Sequence, residues 1–390
     1  MTTIDVTWPQ ANARRLTRQG LAGQGTAGEG LDSPAGITGA MLGAHAQVLS
    51  AGELSVALRL PPRTTRTDVR EALWTERTLT KTYGPRGTVH LLPTADLPMW
   101  TGALSAAPDG SSPQPEGVRM TPAQTDEVVA AIRDALTGEP LTTDELTDAI
   151  VARTGTWAGD RVMEAFQDKW PRWRQVTHTA ARRGALAFGP NRGRRTTFTT
   201  PGVTPMAAGP AVLELVRRHL YAYGPATPAH FARWLGAPNA WAREVFADLA
   251  AVDRIEAVSY EGAPAWVAAG DTSFPDAAPP RGVRLLPYFD AYVIACQPRE
   301  RLFPGAAYTR ALAGGQAGNY PVVLVDGVVS GVWHQRRSGR RVTVTVEPIG
   351  PALDTSRART GLADQAERVG EALEGRAELS VGKVTVGPHA

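Results

Sequence analysis

Apolar positions along the chain fall into blocks of helical spacing that give way, three times, to short runs of strand character. The pattern is clearest over residues 210–268. Val212, Leu215, Val216 and Leu220 recur at the three- and four-residue intervals of one helix face. Thr227 before Pro228 reads as an N-cap with proline at the first helical position, and Gly236 as the stop. After Pro238, the residues Trp241, Val245, Phe246 and Leu249 form another apolar face. Strands around 255–258 and 265–268 follow, joined by Glu261-Gly262. Helices followed by a hairpin give the winged helix-turn-helix order.

The preceding copy opens at Thr121-Pro122-Ala123-Gln124, a capping box with proline inside it. Thr142 and Glu145 make a second box before Leu146 and Ile150. A helix over 171–183 leads to strands over 185–188 and 196–200, with Asn191-Arg192-Gly193 at the tip. The first copy is less regular. Ser50 and Glu53 read as a capping box ahead of Leu54, Val56, Leu58 and Leu60, and 67–78 reads as a helix. Strands over 79–83 and 88–92 pair across Gly84-Pro85-Arg86-Gly87, and the glycine-rich stretch 20–36 is expected to be a loop.

Beyond residue 281 the pattern turns to strands. Leu285-Leu286-Pro287-Tyr288-Phe289-Asp290 runs on into an apolar segment to Ala295. Residues 322–325 and 328–333 form a hairpin across Asp326-Gly327, and 342–346 adds a strand. A helix over 364–373 precedes a last strand. With linkers at 107–117 and 200–209, the expected architecture is α+β. It has three tandem winged-helix modules over 1–106, 118–202 and 208–272, then a small β-rich domain over 281–390.

The chain has 390 residues, 43% apolar and 20% charged, which is globular composition. No apolar run is long enough to span a bilayer, and the start MTTIDVTWPQ lacks a secretory pattern, so a cytoplasmic protein without membrane contact is expected. A single cysteine, Cys296, and seven scattered histidines leave no disulfide framework and no metal-ligand spacing; neither metal nor cofactor is expected. Net charge is only +3, but the basic residues are almost all arginine, with Lys81, Lys169 and Lys383 the three lysines. Few side chains could therefore form a Schiff base.

Between 172 and 195 lie seven arginines and no acidic residue. Arg86, Arg192, Arg194 and Arg195 fall in predicted wings, and Arg336, Arg337, Arg340 and Arg341 in a further hairpin. Guanidinium groups on protruding turns suit phosphate contact and groove insertion. A solvated basic surface in an arginine-rich chain accounts for the same residues. Trp234, Trp241 and Trp333 read as core, and Cys296 as a small inert core residue.

Gly43-Ala44-His45-Ala46-Gln47-Val48-Leu49-Ser50 is the segment richest in chemistry. Within a helix, positions two apart point about 200° apart and could not share a small site. In an extended link between two helices they lie on the same side, so His45 and Gln47 could face one cavity and hold one water between them. Spacing alone also fits a histidine that simply satisfies backbone groups at a helix junction.

The chain resembles the AlkZ/YcaQ family of winged-helix DNA glycosylases, in particular the AlkZ-like branch found with antibiotic biosynthesis in actinobacteria. The likeness is carried by Leu42-Gly43-Ala44-His45-Ala46-Gln47-Val48-Leu49-Ser50-Ala51, by Arg86-Gly87-Thr88-Val89-His90-Leu91-Leu92, by Leu285 through Asp290, and by Gly327-Val328-Val329-Ser330-Gly331-Val332-Trp333. It implies three winged helices in a C shape plus a small β-barrel-like domain. It further implies a catalytic polar-apolar-polar triplet, here in the His form, with His45 and Gln47 catalytic. YcaQ-like members end the triplet in Asp. Its absence here speaks against broad crosslink unhooking and for a dedicated self-resistance enzyme.

What the resemblance implies is a monofunctional glycosylase, without lyase chemistry, for bulky N7-alkylguanine adducts left in double-stranded DNA by an intercalating natural product. Gln47 would position the water, with His45 accepting from it or acting as general base. The enzyme would act as a monomer at the nucleoid. Asp290 would lie near the DNA surface; a buried aspartate capping a turn is the other reading. The alternatives at the level of function are a non-enzymatic winged-helix transcriptional regulator and a protein-interaction scaffold.

Overall fold

The computed structural model describes residues 4–23, 30–108, 114–165, 168–276, 281–312 and 314–387. A short strand, β1 (Asp5–Val6), leads into α1 (Trp8–Arg18), whose start is fixed by a Thr7/Gln10 capping box. Arg15 of this helix is buried and donates to the carbonyls of Gly224, Pro225 and Gln297. That arrangement satisfies a buried guanidinium without a carboxylate.

Next come α2 (Pro34–Ala40), β2 (Ala44–His45), α3 (Leu49–Ala57), α4 (Arg66–Trp74), β3 (Leu79–Tyr83), β4 (Val89–Pro93) and α5 (Leu97–Ala106). The three strands form one sheet in the order β2-β4-β3. Two expectations need correction. Ser33 caps α2 at Gly36, so the end of the 20–36 stretch is helical; its residues 24–29 lie outside the described ones. The Ser50/Glu53 box does not form: α3 starts at Leu49 behind Val48, and buried Glu53 instead pairs with Arg66 and Arg70. A carboxylate held between two guanidiniums is not available to reach back to a helix start.

The second unit holds α6 (Pro122–Ala135), β5 (Leu141–Thr142), α7 (Thr143–Thr154), β6 (Arg161–Glu164), β7 (Lys169–Pro171), α8 (Thr177–Arg182), β8 (Ala187–Arg192) and β9 (Arg195–Thr199). Both threonine capping boxes, at Thr121 and Thr142, are present. The helix expected over 171–183 is instead the end of β7, a 3₁₀ turn over Arg172–Val176, and then α8. Pro171 favours an extended Trp170 before it, which suits the β6–β7 hairpin.

The third unit follows the sequence reading: α9 (Ala208–Tyr223), α10 (Pro228–Leu235) with left-handed Gly236 at its end, α11 (Asn239–Ala251), β10 (Ile255–Tyr260) and β11 (Ala263–Ala268). β1 adds to this hairpin in parallel, so the N-terminal strand belongs to the third unit's sheet. Of the expected linkers, 109–113 lie outside the described residues, and 200–209 carries regular structure only where α9 begins.

The C-terminal part contains β12 (Val283–Leu286), α12 (Ala291–Ala295), α13 (Arg299–Leu302), α14 (Ala306–Ala311), β13 (Val322–Val325), β14 (Val328–Ser338), β15 (Arg341–Pro348), α15 (Ser356–Ala372) and β16 (Arg376–Val381). β12 stops at Leu286, before Pro287, and the apolar segment to Ala295 forms α12. Asp326 and Gly327 both have positive φ, as a type I′ turn requires. A Cβ on Gly327 would come within 2.6 Å of Asn12, whose amide donates to the Gly327 carbonyl. The five strands pair in sequence order and end at β12 and β16, an open sheet against which α15 packs. Trp333 and Trp234 are core, while Trp241 packs partly buried against it.

Candidate active site

Two left-handed residues set the site up. Leu42 (φ 55°) and Gly43 (φ 96°) stop α2 and turn the chain into β2. The Gly43 amide donates back to the Thr38 carbonyl at 2.9 Å, closing the helix end. A side chain at Gly43 would strike Leu92 at 2.7 Å, so this turn needs glycine. The extended link that follows pairs Ala44 with Leu91 and His45 with His90, and the Ala46 amide donates to Val89 at 2.7 Å. From the other side Gly52 of α3 approaches closely, since a Cβ there would lie 2.8 Å from the His45 carbonyl oxygen.

His45 is 7% exposed, its ring 5.1 Å from that of His90 and 4.5 Å from that of Phe289. Its Nδ1 is buried without a hydrogen-bond partner. Burial, reinforced by the Arg86 charge, pushes its pKa down to about 4, so the ring is neutral near pH 7. A neutral imidazole has one nitrogen able to accept from water.

Gln47 lies two residues beyond β2, in the bend before α3, and outside the small cavity around His45. Its side chain is exposed, and its carboxamide oxygen accepts from the Val89 amide at 3.4 Å. The bond is long and leaves the NH₂ group and one oxygen lone pair for solvent. The expectation of both groups inside one cavity therefore needs correction: His45 forms its wall, and Gln47 sits outside it on the exposed bend between β2 and α3.

Two other expectations are overturned. Arg86 is not a protruding wing tip: it is mostly buried, with positive φ, and its Nη1 donates to the Trp234 carbonyl at 2.5 Å near the end of α10. Burial pushes its pKa down to about 10. A side chain at Gly236 would meet the Arg86 backbone at 2.8 Å, so the turn is wedged against the third unit. Asp290 is 1% exposed, so its carboxylate presents no surface to a ligand. Its two oxygens take both Nη atoms of Arg59 at 2.7 Å, and it also accepts from Ser55 and the Tyr292 amide. It caps α12, as the turn-capping reading held.

The remaining arginines differ among themselves. Arg192 is exposed but tied to Glu145 at 2.8 Å and to the Pro140 carbonyl at 2.5 Å. Arg194 and Arg195 are exposed beside it, and Arg336, Arg337 and Arg340 are exposed on the β14–β15 hairpin. Arg341 pairs with Glu378. Sequence reasoning did not single out His90 or the ring of Phe289 as neighbours of His45, although both residues lie in the motifs that carried the resemblance. A cleft of about 880 Å³ is lined by Gly87, Arg119, His178, Arg183, Leu235 and, shared with the His45 cavity, Arg86.

Among the described residues no His, Cys, Asp and Glu cluster could hold a metal ion, and no helix is long and apolar enough to cross a membrane. Burial raises the Cys296 thiol to about 12.

Residues 38–372 match the family model described as DNA glycosylase AlkZ-like. The chain is 32% identical over 348 residues to an interstrand DNA cross-link repair glycosylase of Streptomyces sahachiroi, covering 85% of this chain and 88% of the relative. It is also similar to the solved structure of Streptomyces sahachiroi DNA glycosylase AlkZ, with a TM-score of 0.78, 30% identity, and coverage of 97% of this chain and 100% of that one. These matches set aside the regulator and scaffold readings: the chain belongs to the AlkZ-like DNA glycosylase family and is an enzyme of that class.

Proposed function

We propose that this glycosylase is monofunctional and hydrolyses the N-glycosidic bond of bulky N7-alkylguanine adducts, giving self-resistance to a DNA-alkylating, intercalating natural product. The observation that carries the reading is the chemistry of the link between α2 and α3: a neutral, desolvated imidazole and an exposed carboxamide. Asp290, close by in the fold, is locked against Arg59 and offers no free carboxylate. Such mild groups match a leaving group that is already cationic. The C1′–N9 bond breaks with its electron pair moving to N9, which neutralises the alkylated purine. A water held by Gln47 bonds to C1′, and its proton passes to His45 or to solvent.

In this reading the helix–hairpin units over 1–106, 118–202 and 208–272 act as winged helices arranged in a C around the duplex, with the C-terminal domain over 281–390 completing it. The enzyme works as a monomer in the cytoplasm and approaches the sugar from the minor groove, leaving the adduct in place instead of extruding it. Arg194, Arg195, Arg336, Arg337 and Arg340 contact phosphates, with Arg192 contributing less because of its Glu145 partner. The likeness to the Streptomyces sahachiroi interstrand DNA cross-link repair glycosylase favours a second substrate, the interstrand crosslink.

The test is incubation with duplexes carrying a defined bulky N7-guanine adduct, N7-methylguanine or an interstrand crosslink, followed by alkali. Strand breaks at the bulky-adduct guanine, with no protein–DNA conjugate after borohydride, are expected. Gln47→Ala and His45→Ala should each lower the single-turnover rate by about tenfold or more. Excision of the other two lesions alone would overturn the substrate assignment. Wild-type rates in both variants would overturn the site.

A further inference from the structure

The His45 ring leaves one group unexplained, a buried Nδ1 with no partner in a side chain more than nine-tenths buried. An orphaned buried nitrogen of this kind is costly unless a water satisfies it. The cavity that the His45 side chain lines has a volume of about 10 Å³ and is bordered by Met41, Gly43, His45, Arg86, His90 and Phe289, among others. That volume is near the lower limit for one water, roughly 10–15 Å³.

His90 supplies the second half of the argument. It sits across the sheet from His45 and is buried, and its Nδ1 lies 2.9 Å from the Thr88 carbonyl. A carbonyl oxygen only accepts, so Nδ1 carries the proton. Burial, with His45 and Arg86 nearby, holds the ring well below the usual histidine pKa, so it is neutral and Nε2 is an acceptor. The ring has little freedom to move. A Cβ on Gly84 would lie 2.9 Å from His90 Nδ1, and one on Gly43 would lie 3.4 Å from its Cδ2.

Building on the catalytic reading of His45, we propose that His90 is a positioning residue that fixes the tautomer of His45 through a single shared water. The chain runs in one direction. His90 donates from Nδ1 to the Thr88 carbonyl, the water donates to His90 Nε2, and His45 donates from Nδ1 to the water. His45 Nε2 is then left unprotonated, as an acceptor for the nucleophile. Several polar groups of the neighbouring elements already have partners of their own. Arg86 donates to Trp234, the Tyr223 hydroxyl donates to the Met41 carbonyl, and Asp290 is paired with Arg59.

Long-range ¹⁵N–¹H spectra of the full-length protein distinguish the tautomers of its seven histidines, with His45→Ala assigning the signal. His45 is expected as the Nδ1–H form. His90→Asn keeps a donor toward Thr88 but is too short to place an acceptor at the Nε2 position; it should mix the His45 tautomers and slow single-turnover excision by about tenfold without weakening DNA binding. His90→Gln, which offers a carbonyl near the Nε2 position, should recover part of the rate. An Nε2–H form of His45 in the wild type would overturn the proposal, as would His90→Asn with unchanged tautomer and rate. If the tautomer responds but His45→Ala excises at full rate, the relay stands and the catalytic reading falls.

Discussion

Asp290 and Arg59 form a fully buried, two-pronged ion pair with both N–O distances at 2.7 Å, one residue beyond the Phe289 whose ring covers His45. Phe289 takes positive φ (56°), a conformation that a bulky residue adopts only when its surroundings hold it. The pair anchors the chain right after that strained position. The ionic network thus underpins the aromatic lid on the imidazole, and neither partner is free to meet DNA.

Removing one partner should therefore act on folding first. Asp290→Asn leaves Arg59 buried and uncompensated, for which about 3–5 kcal/mol of destabilisation is expected. Chemical denaturation measures it. Arg59→Met combined with Asp290→Asn should be less destabilised than the sum of the single changes. Additive losses would show that the two side chains do not act as a pair.

The salt dependence of DNA binding separates the arginines. Each phosphate contact contributes about 0.9 to the slope of log K against log salt. Arg194→Ala with Arg195→Ala should reduce the slope by up to about 2, whereas Arg192→Ala should change it less, since its guanidinium already holds Glu145 and the Pro140 carbonyl. Fluorescence anisotropy across a salt series checks this. An unchanged slope in the double variant would remove this wing from the DNA interface.

Much of this architecture is legible because its signals are local. Thr121, Thr142 and Thr227 all cap the helices that they announce, and Asp326-Gly327 makes the turn that its residues favour. The misreadings arise where a distant partner decides. Glu53 has the spacing of a capping box, yet Arg66 and Arg70 claim it. Arg86 sits in a turn that looks exposed until α10, almost 150 residues later in the sequence, closes over it. The extended link that carries His45 is legible in the sequence, but the neighbours of its ring are not. His90 and Phe289 come from separate segments and meet it only through the sheet pairing and the strained turn.

Arg86 contributes to the low pKa of His45 and is held in place by the Trp234 carbonyl. Arg86→Met removes the charge while keeping much of the side-chain bulk. The acid limb of the excision rate, expected near pH 4 in the wild type, should move to higher pH in this variant. Single-turnover rates between pH 4 and 7 test the shift. An unmoved limb would mean that burial alone sets the His45 ionisation.

Acid stability offers a readout independent of catalysis. His219 is fully buried among Tyr223, Phe231 and Trp234, with neither ring nitrogen partnered, and burial pushes its pKa down to about 3. His45 and His230 are each pushed down to about 4. All three stay neutral in the folded state, whereas in the unfolded chain they take up protons below about pH 6.5. Their contribution is thus fully present above that pH and is lost as pH falls toward 4, each site costing about 1.4 kcal/mol per pH unit within its window. His219→Leu abolishes one such site and fills the aromatic box with an apolar group. Its stability should therefore fall less steeply than the wild type between pH 6 and 4, as urea denaturation at a series of pH values would measure. Identical slopes would mean that His219 takes up its proton in both states alike, through an opening of the third unit's core.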